Sequence, residues 1–269
     1  MPLDLRAPSG PSTQIDVIGL ESDIALGIEC KSQERFGRRA NFAEELAKLA
    51  QTRERFSRAA NASDYGGTHK RQVAFAFFFS GVELGKNDRE RAEAANVALF
   101  DDRDLEYYEK LVAHVGPAAK YQFFADILPG KVIPGLEIRV PCVRTRLGKF
   151  VCYSFPISPE YLLKISYVSH RSKGKRSDIN TYQRMLLKSR LNKIRQYISD
   201  DGTFPTSIVV NLDAKRLTFN RVKQDSSKEE QRDSGILGWL DIRPAYKSAW
   251  VIDGQHRLYS YSGHPRVKS

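Results

Sequence analysis

The pattern of apolar and polar positions in the first half of the chain predicts an α/β domain. Residues 14–19 alternate between polar and apolar side chains and end at a glycine, which predicts a strand. Residues 24–31 predict a second strand, and we expect the two strands to pair as a hairpin. Residues 72–79 are apolar almost throughout, which is typical of a strand buried on both faces of a mostly parallel sheet. The other predicted elements are a helix from Asn41 to about Ala60 with Glu44 in a capping box, a helix at 88–96, a strand at 97–100, and a helix from Asp102 to 115 with Leu105 and Val112 on its buried side.

The second half is less regular and predicts an α+β arrangement. Residues 181–199 have helical spacing, with Tyr197 among the expected core positions. Residues 221–234 are charged without apolar periodicity and are predicted to be disordered. The predicted strands are 136–143 and 150–155, joined by a basic turn at 144–149, then 207–211, 236–242 and 250–252, the last followed by a helix from about Gln255.

Length and composition indicate two modest domains in a protein of the cytoplasm. The 269 residues suit a first domain at 1–116, a connector at 117–134 and a second domain at 135–269. The sequence has no apolar run long enough for a membrane span and no signal-peptide pattern, so we expect no membrane partner. Its three cysteines lack metal-binding spacing and suit reduced thiols.

The charge balance favours DNA as a partner. Lysine and arginine number 43 against 32 acidic residues, which gives a net charge of +11 and a pI near 9.5. The excess lies mainly in residues 139–200, although solubility alone explains part of it. On the predicted helix the candidate DNA-binding residues are Arg184, Lys188, Arg190 and Lys193.

Three residues of the predicted hairpin could carry metal-dependent chemistry. Asp16 and Glu29 lie on neighbouring strands, and two carboxylates so placed can hold a divalent metal through oxygen ligands. Lys31, two residues after Glu29, shares its strand face and could orient an attacking water. The same spacing also arises by chance in ordinary strands.

Residues 14–115 resemble the restriction-endonuclease-like PD-(D/E)xK superfamily, and its Mrr-type branch in particular. The resemblance rests on the strand Gln14-Ile-Asp-Val-Ile18, on Ile28-Glu-Cys-Lys31, and on the order of elements that follows. It implies that Asp16, Glu29 and Lys31 form a DNA-cleaving site, with Asp16 and Glu29 as ligands of Mg²⁺ or Mn²⁺. The family begins with a helix, whereas only a short loop precedes Asp16, so we expect this lobe to lack that first helix.

The stretch from Asp253 to Arg257 is a candidate phosphate site. A strand, a glycine and a helix start follow one another here, and free backbone N–H groups at a helix start favour an anion. We expect Asp253 to cap the helix, with His256 and Arg257 in its first turn. The alternative interpretation is an ordinary strand-turn-helix junction with polar surface residues.

Residues 135–269 resemble the DGQHR-domain family, which includes the regulator associated with DNA phosphorothioate modification. The resemblance rests on Asp253, Gly254, Gln255, His256 and Arg257, together with the segment 204–211 upstream. It implies a partial ParB/sulfiredoxin-like lobe in which these five residues bind nucleotide or phosphate. A nucleoside triphosphate and a homodimer are further expectations. The chain ends soon after the motif, so we expect the final part of this domain to be missing.

Together these features predict a DNA-acting defence or restriction-type protein. Its fold class would be α/β, with a restriction-endonuclease-like lobe followed by the DGQHR lobe. One alternative is a DNA-binding regulator of DNA modification that does not cleave DNA. Another is a nucleotide hydrolase that depends on Arg257.

Overall fold

The computed structural model describes residues 14–34, 38–62, 65–167, 186–222 and 235–268. The chain divides into two compact units. The first unit runs up to Leu111 and takes in residues 126–128 and 133–135, and the second contains residues 112–125, 129–132 and 136–269. Both parallel and antiparallel strand pairs occur, so the protein is of mixed α/β class. None of the helices within the described ranges has the length and apolar character that crossing a bilayer requires.

The first unit is built on a four-stranded mixed sheet. Its strand order is β1-β2-β4-β6, with β1 antiparallel to β2 and the other pairs parallel. The elements up to residue 115 are β1 (Val17–Leu20), β2 (Ile24–Ser32), β3 (Arg38–Ala40), α1 (Ala43–Ala60), β4 (Gln72–Ser80), β5 (Val82–Leu84), α2 (Lys86–Ala94), β6 (Val97–Phe100) and α3 (Asp102–Val115).

The predicted hairpin and the predicted buried strand are both confirmed. Strand β4 lies between β2 and β6, and its Phe75 and Phe77 are fully buried. The rings of Phe75 and Phe77 pack against those of Phe56 and Phe42, at centroid distances of 5.4 Å and 5.0 Å. A strand covered on both faces must be apolar at successive positions, which explains the uninterrupted run of residues 72–79.

Two local predictions for residues up to 115 are wrong. Helix α1 has Phe42 as its N-cap without a side-chain hydrogen bond, so the expected capping box does not form. Asn41 instead accepts a hydrogen bond from the backbone N–H of Ala43 at 3.1 Å. On α3, Leu105 and Val112 are exposed although helical spacing placed them on the buried side.

The elements after α3 include two further sheets. Strands β11, β12, β7 and β8 form an antiparallel sheet in that order, and β10, β13 and β9 form a three-stranded sheet. The elements are α4 (Ala119–Ile127), β7 (Ile138–Leu147), β8 (Phe150–Ser154), α5 (Pro159–Ile165), β9 (Ser166–Tyr167), α6 (Lys188–Ser199), β10 (Val209–Leu212), β11 (Leu217–Arg221), β12 (Ile236–Ile242), β13 (Ala249–Asp253) and α7 (Gln255–Ser260).

Several predicted boundaries of the second half need correction. Strand β7 continues through the basic stretch to Leu147, so the turn is confined to Gly148 and Lys149. Helix α6 begins at Lys188, because Leu187 has an extended backbone with ψ of 118°. Leu191 is fully buried in α6, whereas Tyr197 is 45% exposed instead of lying in the core. Residues 168–185, where we expected the helix to start, and residues 223–234, expected to be disordered, lie outside the described ranges.

Candidate functional sites

Asp16 lies at the point where the ladder between β1 and β2 ends. Val17 and Ile28 form the last strand pair at this end. Beyond it, the carboxylate of Asp16 accepts a hydrogen bond from the backbone N–H of Cys30 at 2.8 Å. The side chain therefore takes the place of a backbone acceptor, which fixes Asp16 beside the strand that carries Glu29 and Lys31.

Glu29 is a buried carboxylate with one oxygen unsatisfied. The residue is 4% exposed, and its Oε1 lies 3.5 Å from Nζ of Lys31, so the two side chains share a strand face. Its Oε2 is buried and has no hydrogen-bond partner among the described residues. Lys31 reaches partly into solvent. A buried carboxylate oxygen without a donor is costly, so this position suits a cation that would supply the missing partner.

The charges of Asp16 and Glu29 both affect the pKa of the Cys30 thiol. Its pKa is raised by partial burial, then by the negative charges of Asp16 and Glu29, while Lys31 acts in the opposite direction. Two carboxylates that both raise the pKa of one thiol must be near it. Asp16, Glu29 and Lys31 therefore all lie on or beside one short stretch of β2.

The donors at this position fit a hard divalent cation held by few protein ligands. In the part of the chain that the structure describes, no three His, Cys, Asp or Glu side chains converge as a metal-binding cluster. Mg²⁺ commonly takes one or two carboxylates and completes its shell with water and substrate phosphate. Asp16 and Glu29 are the two carboxylates here that could hold such a cation, whereas a structural zinc site takes four protein ligands.

The signature at 253–257 adopts a tight turn, but Asp253 does not cap the helix. Gly254 is the N-cap of α7, with φ of 89° and ψ of 13°, in the left-handed region that favours glycine. A Cβ atom there would come within 3.0 Å of Arg257 and of Ile208. Gly254 is therefore required by its backbone conformation and by its surroundings.

Arg257 is held by contacts within the protein. Its Nη1 donates to the carbonyl oxygen of Thr206 and, at 2.6 Å, to the hydroxyl of Thr206. Its Nη2 donates to Asp253 at 2.9 Å, and the side chain is only 15% exposed. We call these three residues the Arg257 clamp. The clamp ties the start of α7 to the segment before β10.

His256 also points inward. It is buried, and its Nε2 accepts a hydrogen bond from the backbone N–H of Leu187 at 3.3 Å, just before α6. Its backbone carbonyl accepts from Ser260 at 2.6 Å. A phosphate at this helix start would therefore have to displace contacts of Arg257 and His256.

The predicted basic residues of α6 are on the surface. Lys188, Arg190 and Lys193 are exposed, while Arg184 lies outside the described ranges. Arg190, Lys193 and the exposed Tyr197 follow a spacing of three and four residues, which places them along one stripe of the helix. The ring of Tyr197 packs against Phe204 at a centroid distance of 5.5 Å, and its hydroxyl donates to the carbonyl oxygen of Thr203 at 2.8 Å. The stripe therefore offers its two cations to a nucleic-acid backbone.

Sequence reasoning missed Thr206 and Tyr197 as part of these sites. Thr206 is 51 positions from its partner Arg257, so no local pattern reveals the contact. Tyr197 has helical spacing with apolar neighbours, and only its exposure in the structure separates it from the core.

The second unit is similar to a known family. Residues 140–261 match the family model DndB, described as DNA-sulfur modification-associated. The match covers less than half of the chain and falls within the second unit. No curated protein and no solved structure matches the chain. The family match supports the expected link to DNA modification, while the nuclease resemblance and the ParB-like architecture stay predictions.

Proposed function

We propose that this protein acts on DNA in a modification or restriction system, and that its first unit hydrolyses phosphodiester bonds with Mg²⁺ or Mn²⁺. In this proposal Asp16 and Glu29 hold the cation, and Lys31 orients the attacking water. DNA is the substrate because the second unit is similar to a DNA-modification-associated family and because the chain carries a net charge of +11.

The observation that carries the proposal is the unsatisfied Oε2 of Glu29. A carboxylate with a purely structural role would be expected to find donors for both oxygens or to lie in water. The Oε2 atom of Glu29 is buried and has no donor among the described residues. Asp16 lies beside the same strand, and Nζ of Lys31 lies 3.5 Å from Oε1, the other oxygen of Glu29. This is the arrangement expected of a carboxylate kept ready for a cation.

Each side chain has a distinct task in this proposal. The backbone N–H of Cys30 orients Asp16, and the ammonium of Lys31 is oriented by Glu29. Lys31 is partly exposed, so its Nζ can contact both the buried carboxylate and a water or phosphate oxygen arriving from solvent. The bound cation would polarise the phosphoryl oxygen and stabilise the charge that develops there.

A plasmid-nicking assay with Mg²⁺ or Mn²⁺ tests the proposal. Asp16→Asn, Glu29→Gln and Lys31→Met should each reduce the nicking rate by roughly 100-fold or more, the range typical of a lost catalytic group. Glu83→Gln and Lys48→Met change exposed residues of the same unit and serve as matched controls. Nicking that persists in all three site variants would reject the assignment.

A second candidate function is a DNA-binding regulator that does not cleave. It is favoured by the Arg257 clamp, which directs the signature residues inward, and by the basic stripe on α6. It predicts DNA binding without nicking at any divalent cation concentration. Nucleotide hydrolysis at the signature receives less support, because Arg257 already donates to Thr206 and Asp253. Phosphate release that survives Asp16→Asn and disappears in Arg257→Ala would restore that alternative.

A further inference from the structure

The second unit contains a cavity that shares no residue with the sites described above. Its volume is about 270 Å³, and its lining includes Tyr167, Asn211, Arg216, Lys247 and Trp250. All of these lie within the second unit. The cavity is therefore independent of the Asp16–Glu29–Lys31 site and of any cleavage there.

The floor of the cavity is a row of three side chains set by strand register. Trp250 of β13 pairs with Asn211 of β10 on one side and with Tyr167 of β9 on the other. Paired residues of neighbouring strands project to the same sheet face, so the indole, the amide and the phenol ring lie side by side. Two aromatic rings beside an amide suit a planar heterocycle, which can stack and form hydrogen bonds at its edge.

The indole of Trp250 offers an unused donor. Its Nε1 is buried and has no hydrogen-bond partner within the described ranges. Buried tryptophan N–H groups usually find an acceptor, and a buried donor without one destabilises the fold. A ligand with an acceptor atom would remove this cost.

Three charged side chains, those of Arg216, Lys247 and Asp213, line the cavity. Arg216 donates from Nη2 to the carbonyl oxygen of Gly130 at 2.7 Å, and its Nε lies 3.7 Å from Asp213. Asp213 also accepts from the backbone N–H of Lys215 at 3.0 Å, so its carboxylate is already engaged. The Nζ of Lys247 lies 5.5 Å from the centre of the Tyr167 ring, above the aromatic floor. Two cations against one carboxylate favour an anionic ligand.

Lys247 is held in an unusual backbone conformation. Its φ is 59°, in the left-handed region that residues other than glycine rarely adopt. Such a conformation is strained for a residue with a side chain, and strained residues are often found at ligand sites. Here it accompanies a lysine directed over the floor of a cavity.

We propose that this cavity binds one nucleotide. The base stacks on the indole of Trp250, Asn211 contacts its polar edge, and the phosphate lies beside Lys247, whose ammonium stands over the ring of Tyr167. A cavity volume of about 270 Å³ suits a single nucleotide. The nucleotide is either a free mononucleotide or one residue of a single DNA strand. The inference goes beyond the proposed function and stands whether or not the first unit cleaves DNA.

Fluorescence titration of the full chain tests the inference. The chain has two tryptophans, so Trp239→Phe leaves Trp250 as the sole reporter. We expect saturable quenching by deoxynucleoside monophosphates or by a short single-stranded oligonucleotide. Lys247→Asn removes the charge while keeping a residue that tolerates the left-handed conformation, and it should weaken binding about tenfold, the worth of one charged hydrogen bond. Lys215→Asn, an exposed lysine nearby, should change binding by less than about twofold.

The possible outcomes of the titration distinguish the two nucleotide sources and can overturn the inference. Binding of the oligonucleotide but not of the monophosphates identifies a strand as the source, and binding of the monophosphates but not of the oligonucleotide identifies the free nucleotide. Equal binding of both means that the cavity accepts one nucleotide from either source. The inference is overturned if neither quenches saturably, if both lysine variants weaken binding equally, or if inorganic phosphate binds as tightly as a nucleotide. Asp16→Asn should leave the titration unchanged, so loss of cleavage and loss of nucleotide binding are scored independently.

Discussion

At the scale of single residues, Glu29 shows how a candidate catalytic group can oppose stability. Its carboxylate is buried, it forms an ion pair with the partly exposed Lys31, and one of its oxygens has no partner among the described residues. Salt bridges to exposed side chains are weak, so the ion pair offsets little of this cost. Positions kept for function are often those where another residue would be more stable.

Glu29→Gln should therefore stabilise the protein while abolishing nicking. The amide removes the buried charge at nearly constant shape, and we expect the free energy of unfolding to rise by about 1 kcal/mol. Urea unfolding of the two proteins measures the difference. Glu83→Gln, on the surface of the same unit, should leave stability unchanged. A lower stability of the Glu29 variant would mean that the carboxylate supports the fold.

Cys30 reports on the electrostatics of the same site. Burial and the charges of Asp16 and Glu29 raise the pKa of its thiol, so less reactive thiolate is present below that pKa. Alkylation of Cys30 in chelator-treated protein should be slower than in the unfolded chain, and the difference should shrink as pH rises through the raised pKa. Asp16→Asn keeps a hydrogen-bond acceptor but removes the charge, so it should speed the reaction. Peptide mapping by mass spectrometry resolves Cys30 from the other two cysteines, and equal rates in both proteins would contradict the prediction.

At the scale of elements, the turn between β13 and α7 depends on one glycine. Gly254 combines a positive φ with close neighbours on both sides, Arg257 and Ile208. Either requirement alone would favour glycine. Together they fix where the strand ends and where the helix begins.

Gly254→Ala should cost more than the conformational penalty alone. A left-handed alanine costs roughly 1–2 kcal/mol, and the added Cβ must also displace Arg257 or Ile208. Gly148→Ala is the matched control, because Gly148 has φ of 59° and open space around its Cβ position. Thermal unfolding should show a larger loss for Gly254→Ala. Equal losses would mean that the neighbours of Gly254 yield without cost.

The individual elements show which features of the fold can be predicted from the local sequence pattern and which cannot. The buried run at 72–79 and the hairpin before it were predictable, because burial on both faces and strand alternation leave a direct trace in residue types. The start of α6 was not predictable. Leucine is a good helix former, so the sequence around Leu187 favours a helix, whereas the extended backbone of Leu187 makes the helix begin at Lys188. The Arg257 clamp joins positions 51 apart, and the cavity floor joins three separate strands. Such contacts are set by topology, which residue spacing alone does not contain.

At the scale of the whole molecule, the positive charge is concentrated where DNA contact is proposed. The exposed residues Lys188, Arg190 and Lys193 lie on one helix of the unit that matches the DNA-modification family. Contacts between cations and phosphates release counterions from DNA. The dependence of affinity on salt therefore counts those contacts.

Replacing Lys188, Arg190 and Lys193 together with glutamine should flatten the salt dependence of DNA binding. Each lost phosphate contact lowers the slope of log affinity against log salt by about 0.9 on duplex DNA. Three lost contacts should lower it by about 2.7. The control replaces Lys48, Arg89 and Arg103, three exposed cations of the first unit, with glutamine. If the two triple variants give the same slope, α6 is not the preferred DNA surface.

The Arg257 clamp has a consequence for how genetic results at the signature should be interpreted. Arg257 joins the start of α7 to the segment before β10, so replacing it removes a structural link as well as a charge. Loss of even 1–2 kcal/mol can lower the amount of a protein in cells several-fold through proteolysis. A null phenotype from a substitution at Arg257 would then reflect scarcity of the protein before it reflects lost chemistry. Immunoblotting of the variant in its host therefore has to accompany every phenotype assigned to the signature.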